Sequence, residues 1–138
     1  GIAVIESYLF RFTKNLDLIN EESSDTIIRL KAFSSLFVDS SKNGMLPLCG
    51  ALAAELSALP DSLKELTRKF FEIHISWLEE NIAKGQGESV IKADLNPKEI
   101  SRAILSLLEG SSFVSWAFND KVVDQSGFDF ILQKIIVS

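Results

Sequence analysis

Apolar side chains recur along this chain at steps of three and four, the period of an amphipathic helix, in one segment after another. In the first segment Ile5, Leu9, Phe12, Leu16 and Ile19 share a face. The polar run Asn20-Glu21-Glu22-Ser23-Ser24-Asp25 then makes a connector and offers Ser24 or Asp25 as the next N-cap. Ile27, Leu30, Phe33 and Phe37 line one side of the second helix, which ends in the polar run from Asp39 to Gly44. Asn43-Gly44 reads as a helix stop, because its flanks keep helical period. The stretch from Met45 to Leu63 is apolar or small nearly all round: Leu48, Cys49, Leu52 and Leu56 recur at helical spacing, and Ala51, Ala53 and Ala54 fill the other faces. Such a stretch predicts a short central helix, opened near Pro47, stopped at Pro60 and buried from several sides.

The longest pattern follows, with Asp61 as its cap and an end near Lys84 at Gly85-Gln86-Gly87. Leu63, Leu66, Phe70, Ile73, His74, Trp77 and Leu78 make its apolar face. The polar loop to Leu95 is expected to be the most mobile part of the chain. Asn96-Pro97-Lys98-Glu99 places an N-cap residue, a proline at N1 and a glutamate at N3 in one run, the clearest helix start present. The helix from Pro97 to about Asn119 carries two apolar stripes. Ile100, Ala103, Ile104, Leu107, Leu108, Ser111, Val114 and Phe118 form one; Leu105, Ser112, Phe113 and Trp116, with Glu109 beside them, form the other. Phe128, Ile131, Leu132, Ile135 and Ile136 predict a short terminal helix. With no strand alternation and no internal repeat, the expectation is an all-α bundle of about six helices, residues 1–138 forming one domain.

Composition narrows the function. Apolar residues make up 46% of the chain, enough for a globular core and too many for a disordered one. A net charge of −5 argues against direct phosphate binding. One cysteine cannot close an intramolecular disulfide, which fits a reducing, cytoplasmic setting. The most apolar run, from Ala103 to Phe118, is broken by Ser106, Glu109, Gly110 and further serines, so no membrane span is expected. The start at Gly1, leading at once into Ile2-Ala3-Val4-Ile5, suggests a cut inside a longer protein.

Two runs carry a family resemblance. Cys49-Gly50-Ala51-Leu52-Ala53-Ala54-Glu55-Leu56 is followed by the Pro60 break; Lys92-Ala93-Asp94-Leu95-Asn96-Pro97 is followed by Leu107-Leu108-Glu109-Gly110. In this order and separation, across roughly residues 45 to 119, they resemble the ligand-binding half of Tet-repressor (TetR) family regulators. The first 44 residues match in helical character alone. The resemblance implies a homodimer built through the last two helices, a small hydrophobic effector held between helices, and no cofactor. It also implies contact with operator DNA only through an N-terminal helix-turn-helix that these residues do not contain. Effector binding would favour one helix arrangement and release the operator. A helical protein–protein interaction module without a small ligand is the alternative.

Candidate residues follow from helix faces. Phe33, Phe37, Cys49, Phe70, His74, Trp77 and Phe113 are the candidates to line an effector cavity, with His74, the only histidine, as either its polar anchor or a satisfied core residue. Leu105, Glu109, Ser112, Phe113, Trp116, Phe128, Ile131, Leu132 and Ile135 are the candidates for a dimer interface. Glu109 could contact a cationic ligand; a carboxylate at the bundle rim, paired to lysine or arginine, is the simpler reading. Cys49 and His74 do not make a convincing nucleophile–base pair, since Cys49 sits among apolar neighbours rather than beside a cation. One histidine and one cysteine also fall short of a metal site. The chain is therefore not expected to be an enzyme.

Overall fold

The computed structural model of the chain describes residues 2–42 and 60–138. Among these it contains five helices: α1 (Ile2–Glu22), α2 (Thr26–Lys42), α3 (Asp61–Gly87), α4 (Pro97–Ala117) and α5 (Ser126–Ile135). The all-α bundle expected from the periodicity is what forms. The predicted central helix, with Cys49, lies outside the described residues, which resume at Pro60.

Side-chain caps set two of the helix starts. Asp25 accepts from the Ile28 amide through Oδ1 at 3.0 Å and so caps α2. Asn96 Oδ1 accepts from the amides of Lys98 at 2.9 Å and Glu99 at 3.1 Å, which caps α4 as the sequence indicates. Asp61 behaves differently. It lies inside the first turn of α3, Pro60 holds the cap position, and no side chain bonds there. A carboxylate in that place still opposes the positive end of the helix dipole.

The packing is organised around α3, which contacts α1, α2 and α4; α2 also touches α4, and α5 packs on α4. Leu16, Ile19, Leu30, Phe33, Phe37, Trp77, Leu78, Ile82, Ile104 and Leu108 belong to one buried cluster, joined by Phe128, Leu132 and Ile135 from α5. Burying a large apolar side chain stabilises by about 1.5–3 kcal/mol, so this cluster is the main source of stability. A polar seam joins three helices beside it. The Arg29 guanidinium donates to the Asn20 carbonyl oxygen at 2.8 Å, the Ser23 carbonyl oxygen at 2.6 Å and Asn81 Oδ1 at 3.0 Å.

The end of α3 departs from the expectation. The helix continues through Gly85-Gln86-Gly87, and the reversal falls on Ser89, whose φ of 62° is in the left-handed region. The Gly85 carbonyl oxygen accepts from both Val90 and Ile91 amides, at 2.9 and 3.1 Å. The loop expected to be mobile is tied down at several points. Ile91 pairs with Ile136 in an isolated antiparallel bridge, Lys92 donates to the Ile135 carbonyl oxygen at 2.9 Å, and Val137 donates to that of Val90 at 3.0 Å. The Gln86 amide adds bonds to the carbonyl oxygens of Lys92 and Leu95, at 3.0 and 2.7 Å. A pairing between residues forty-five positions apart leaves no periodic trace in either segment.

Gly85 is needed for this closure. A Cβ there would lie 2.7 Å from Ile91 Cδ1 and 3.0 Å from Thr26 Cγ2, and both residues are buried. Gly85→Ala should therefore destabilise the fold by about 1–3 kcal/mol through overpacking. At Gly87 an added Cβ meets nothing within 4 Å, so Gly87→Ala should be neutral or slightly stabilising. Thermal unfolding of the two variants side by side checks the contrast.

Candidate functional site

Five of the aromatic-face candidates converge. His74 is fully buried, with ring centroids 4.3 Å from Phe70, 5.2 Å from Phe12 and 5.7 Å from Phe33. Phe33 stacks on Trp77 at 5.2 Å with 15° between planes and touches Phe37 at 5.5 Å. These rings come from α1, α2 and α3 and pack against one another, which makes this face a filled core. Phe113 stands apart on α4, and Cys49 lies outside the described residues.

The polar atoms within the cluster are sparsely served. His74 Nδ1–H donates to the Phe70 carbonyl oxygen at 2.7 Å, which leaves the lone pair of the neutral ring on Nε2. Nε2, the indole N–H of Trp77 and Ser34 Oγ are buried without a hydrogen-bond partner. Burial pushes the His74 pKa down from 6.5 to about 4, only partly opposed by the Phe70 bond. The ring is therefore neutral at physiological pH.

Open volume lies elsewhere. A cleft of about 680 Å³ runs between α3 and α4, with Phe71, Ile75, Leu105 and Phe113 as apolar walls and Glu109 among its lining residues. Its size falls within the range of small-molecule sites. Glu109 Oε2 is buried with no partner, and desolvation raises the carboxyl pKa from 4.5 to about 7. Lys64, Arg68, Glu72 and Arg102 also line the cleft. The Arg68 link to Glu65 at 3.4 Å is between two largely exposed side chains and contributes little. No group of three His, Cys, Asp or Glu suited to a metal occurs among the described residues, and no described helix is long and apolar enough to cross a membrane.

The dimer candidates are split by the packing. Leu105, Ser112, Phe128, Leu132 and Ile135 are buried within their own chain, because α5 lays its apolar face on the core and α3 covers the inner side of α4. Glu109, Phe113 and Ile131 are half-buried, and the Trp116 side chain lies outside the described residues. The exposed apolar side chains on these elements are Val114 at 55%, Phe118 at 75% and Phe130 at 62%. Phe118 and Val114 edge a groove with Gly110, Ser106 and Leu107. Val114 and Phe118 belong to the first of the two stripes expected on this helix, whereas Phe130 lies off the apolar face expected for α5. Val114 and Phe118 follow Gly110 at successive four-residue steps, which puts the three on one side of the helix.

His74 and Glu109 drive stability in opposite directions with pH. An unfolded chain takes up a proton on its histidine below pH 6.5 that the folded ring refuses down to about 4, so acidification through this window disfavours the fold. The folded Glu109 carboxyl keeps its proton up to about 7 whereas an unfolded one loses it near 4.5, so acidification favours the fold over that window. Each effect is on the order of 3 kcal/mol across its range, and the two largely offset. The intact chain should show a nearly flat stability between pH 6.5 and 4.5. Glu109→Gln should lose stability over that interval and His74→Phe should gain it. Urea unfolding across a pH series reads both slopes.

At the sequence level no family model and no curated protein matches the chain. Solved structures do. A TetR-family transcriptional regulator from Agrobacterium tumefaciens superposes with a TM-score of 0.85 at 17% identity, covering 99% of this chain and 73% of its own. A TetR transcriptional regulator from Legionella pneumophila gives 0.80 at 23% identity, covering 98% and 72%. The regulatory protein TetR from Rhodobacter sphaeroides gives 0.79 at 21%, covering 99% and 74%. At these identities the likeness is one of fold. The chain has, over nearly its whole length, the helical fold of TetR-family regulators.

Proposed function

We propose that this chain is the ligand-sensing and dimerisation domain of a TetR-like, cytoplasmic transcriptional regulator, a repressor released from DNA by a small, largely apolar effector. The observation that carries the reading is the fold shared with TetR-family regulators over 98–99% of this chain in the three structures described above. In this reading operator DNA is met through a helix-turn-helix outside these residues. The acidic balance of the chain, −5, fits that division of labour.

Self-association is supported by the exposed face of α4. Ala103, Ser106, Gly110 and Val114 follow one another at three- and four-residue steps and are exposed, and Phe118 continues the line. Small side chains in the first half permit close approach of a second helix, and the larger ones beyond supply apolar area to bury. Phe130 on α5 is a further exposed aromatic side chain. Sensing is supported by the α3–α4 cleft beside this face. An effector can bias the helix arrangement only by its difference in affinity for the two states, typically about 1–3 kcal/mol.

The same exposed face would seat a partner helix, which is what the interaction-module reading asks for. Two measurements separate these. For a dimer, the melting temperature rises with protein concentration, and Phe118→Glu should abolish that dependence while leaving helix content intact. A panel of hydrophobic compounds should include some that raise the melting temperature. A concentration-independent transition together with no stabilising compound would favour the interaction module.

A further inference from the structure

The cleft between α3 and α4 has one polar group set into its apolar wall without a partner. Thr67 lines the cleft too, but its hydroxyl already donates to the Leu63 carbonyl oxygen at 2.7 Å. Glu72, Arg68 and Arg102 are exposed, and Lys64 is half-exposed. Glu109 differs: the residue is half-buried, but its Oε2 is fully buried and unbonded. Its neighbours along the wall are Leu105, Phe113, Phe71 and Ile75. We infer that this cleft takes an apolar molecule carrying a basic nitrogen, whose N–H donors meet the Glu109 carboxylate while its hydrocarbon body lies on those four side chains. The inference names the effector class of the sensor proposed above and rests on that reading.

The competing class is an amphiphilic anion held by Lys64, Arg68 and Arg102. Relative magnitudes favour the amine. Contacts to solvated surface cations are worth at most about 1 kcal/mol each. An anion would also have to lie in a cleft whose buried carboxyl must then stay protonated. A charge-assisted bond to a desolvated carboxylate is roughly twice as strong as a neutral one and removes the cost of leaving that group unpaired. Among the described residues no ion pair joins these cations to Glu109, and burial raises its carboxyl pKa. Glu72 on the same rim adds a negative charge at the entrance.

The test uses the chain as it stands with three probes of one shape: naphthylmethylamine, naphthalenemethanol and naphthoate, titrated by calorimetry at pH ~8 and ~6, on either side of the Glu109 transition. The amine should bind roughly tenfold or more tightly than the alcohol, with naphthoate weakest, and its advantage should shrink at the lower pH. Glu109→Gln keeps the shape, removes a desolvated charge, and should bring the amine down to the alcohol's affinity while leaving the alcohol unchanged. Equal binding of amine and alcohol would overturn the amine assignment yet leave an apolar sensor standing. Tighter binding of naphthoate would overturn it in favour of the rim cations. Loss of concentration-dependent melting in Glu109→Gln, with amine binding intact, would assign Glu109 to the subunit contact instead. Failure of all three probes, and of the wider hydrophobic panel, would remove the sensor reading as well.

Discussion

Burying one face of α3 carries His74 into a ring of three phenylalanines, and the helices supplying those rings must hold their places for the imidazole to stay dry. Phe12 comes from α1, Phe33 from α2 and Phe70 from α3 itself. The imidazole is neutral because its surroundings cannot solvate a charge. Arg29 bonds at the neighbouring end of the same three helices, fixing α2 against the α1 end and Asn81 of α3. A core of this kind resists sliding of one helix past another, since its side chains interdigitate across all three. With α1, α2 and α3 locked, the freer surfaces are those of α4: the cleft on one side and the exposed stripe on the other.

Local chemistry was the legible part. The caps at Asp25 and Asn96 work through bonds spanning two or three residues, so the sequence contains both partners. The apolar faces of α2 and α3 were legible for the same reason, because a 3.6-residue period survives without knowing what covers it. The stop of α3 was misread: glycines suggest an end, but Gly85 is there for its missing Cβ, against Ile91 and Thr26. That demand arises from a bridge between Ile91 and Ile136, which no window of sequence contains.

The aromatic candidates were legible in the sequence, and how they pack was not. The aromatic residues expected to line a cavity pack against one another, with Phe33 flat against Trp77. Phe113, assigned both to the effector and to the interface, belongs to the open cleft. The sequence pattern expected neighbours for both stripes of α4; within the chain α2, α3 and α5 contact the helix, and Ala103, Val114 and Phe118 of the first stripe stay exposed. By covering the core with Phe128, Leu132 and Ile135, α5 removes those side chains from any interface and leaves Val114, Phe118 and Phe130 uncovered. Glu109 illustrates the limit of face-counting: its neighbours predict burial, while only the packing reveals that nothing pairs with it.

Fold likeness, exposed stripe and half-open cleft all bear on one claim, that this chain works as a pair of subunits whose arrangement a small molecule can bias. A native mass spectrum at low micromolar concentration tests it most directly. A species at twice 15.3 kDa, with added mass when a stabilising compound is present, is the expected result. A single species at 15.3 kDa that retains no compound would contradict the account.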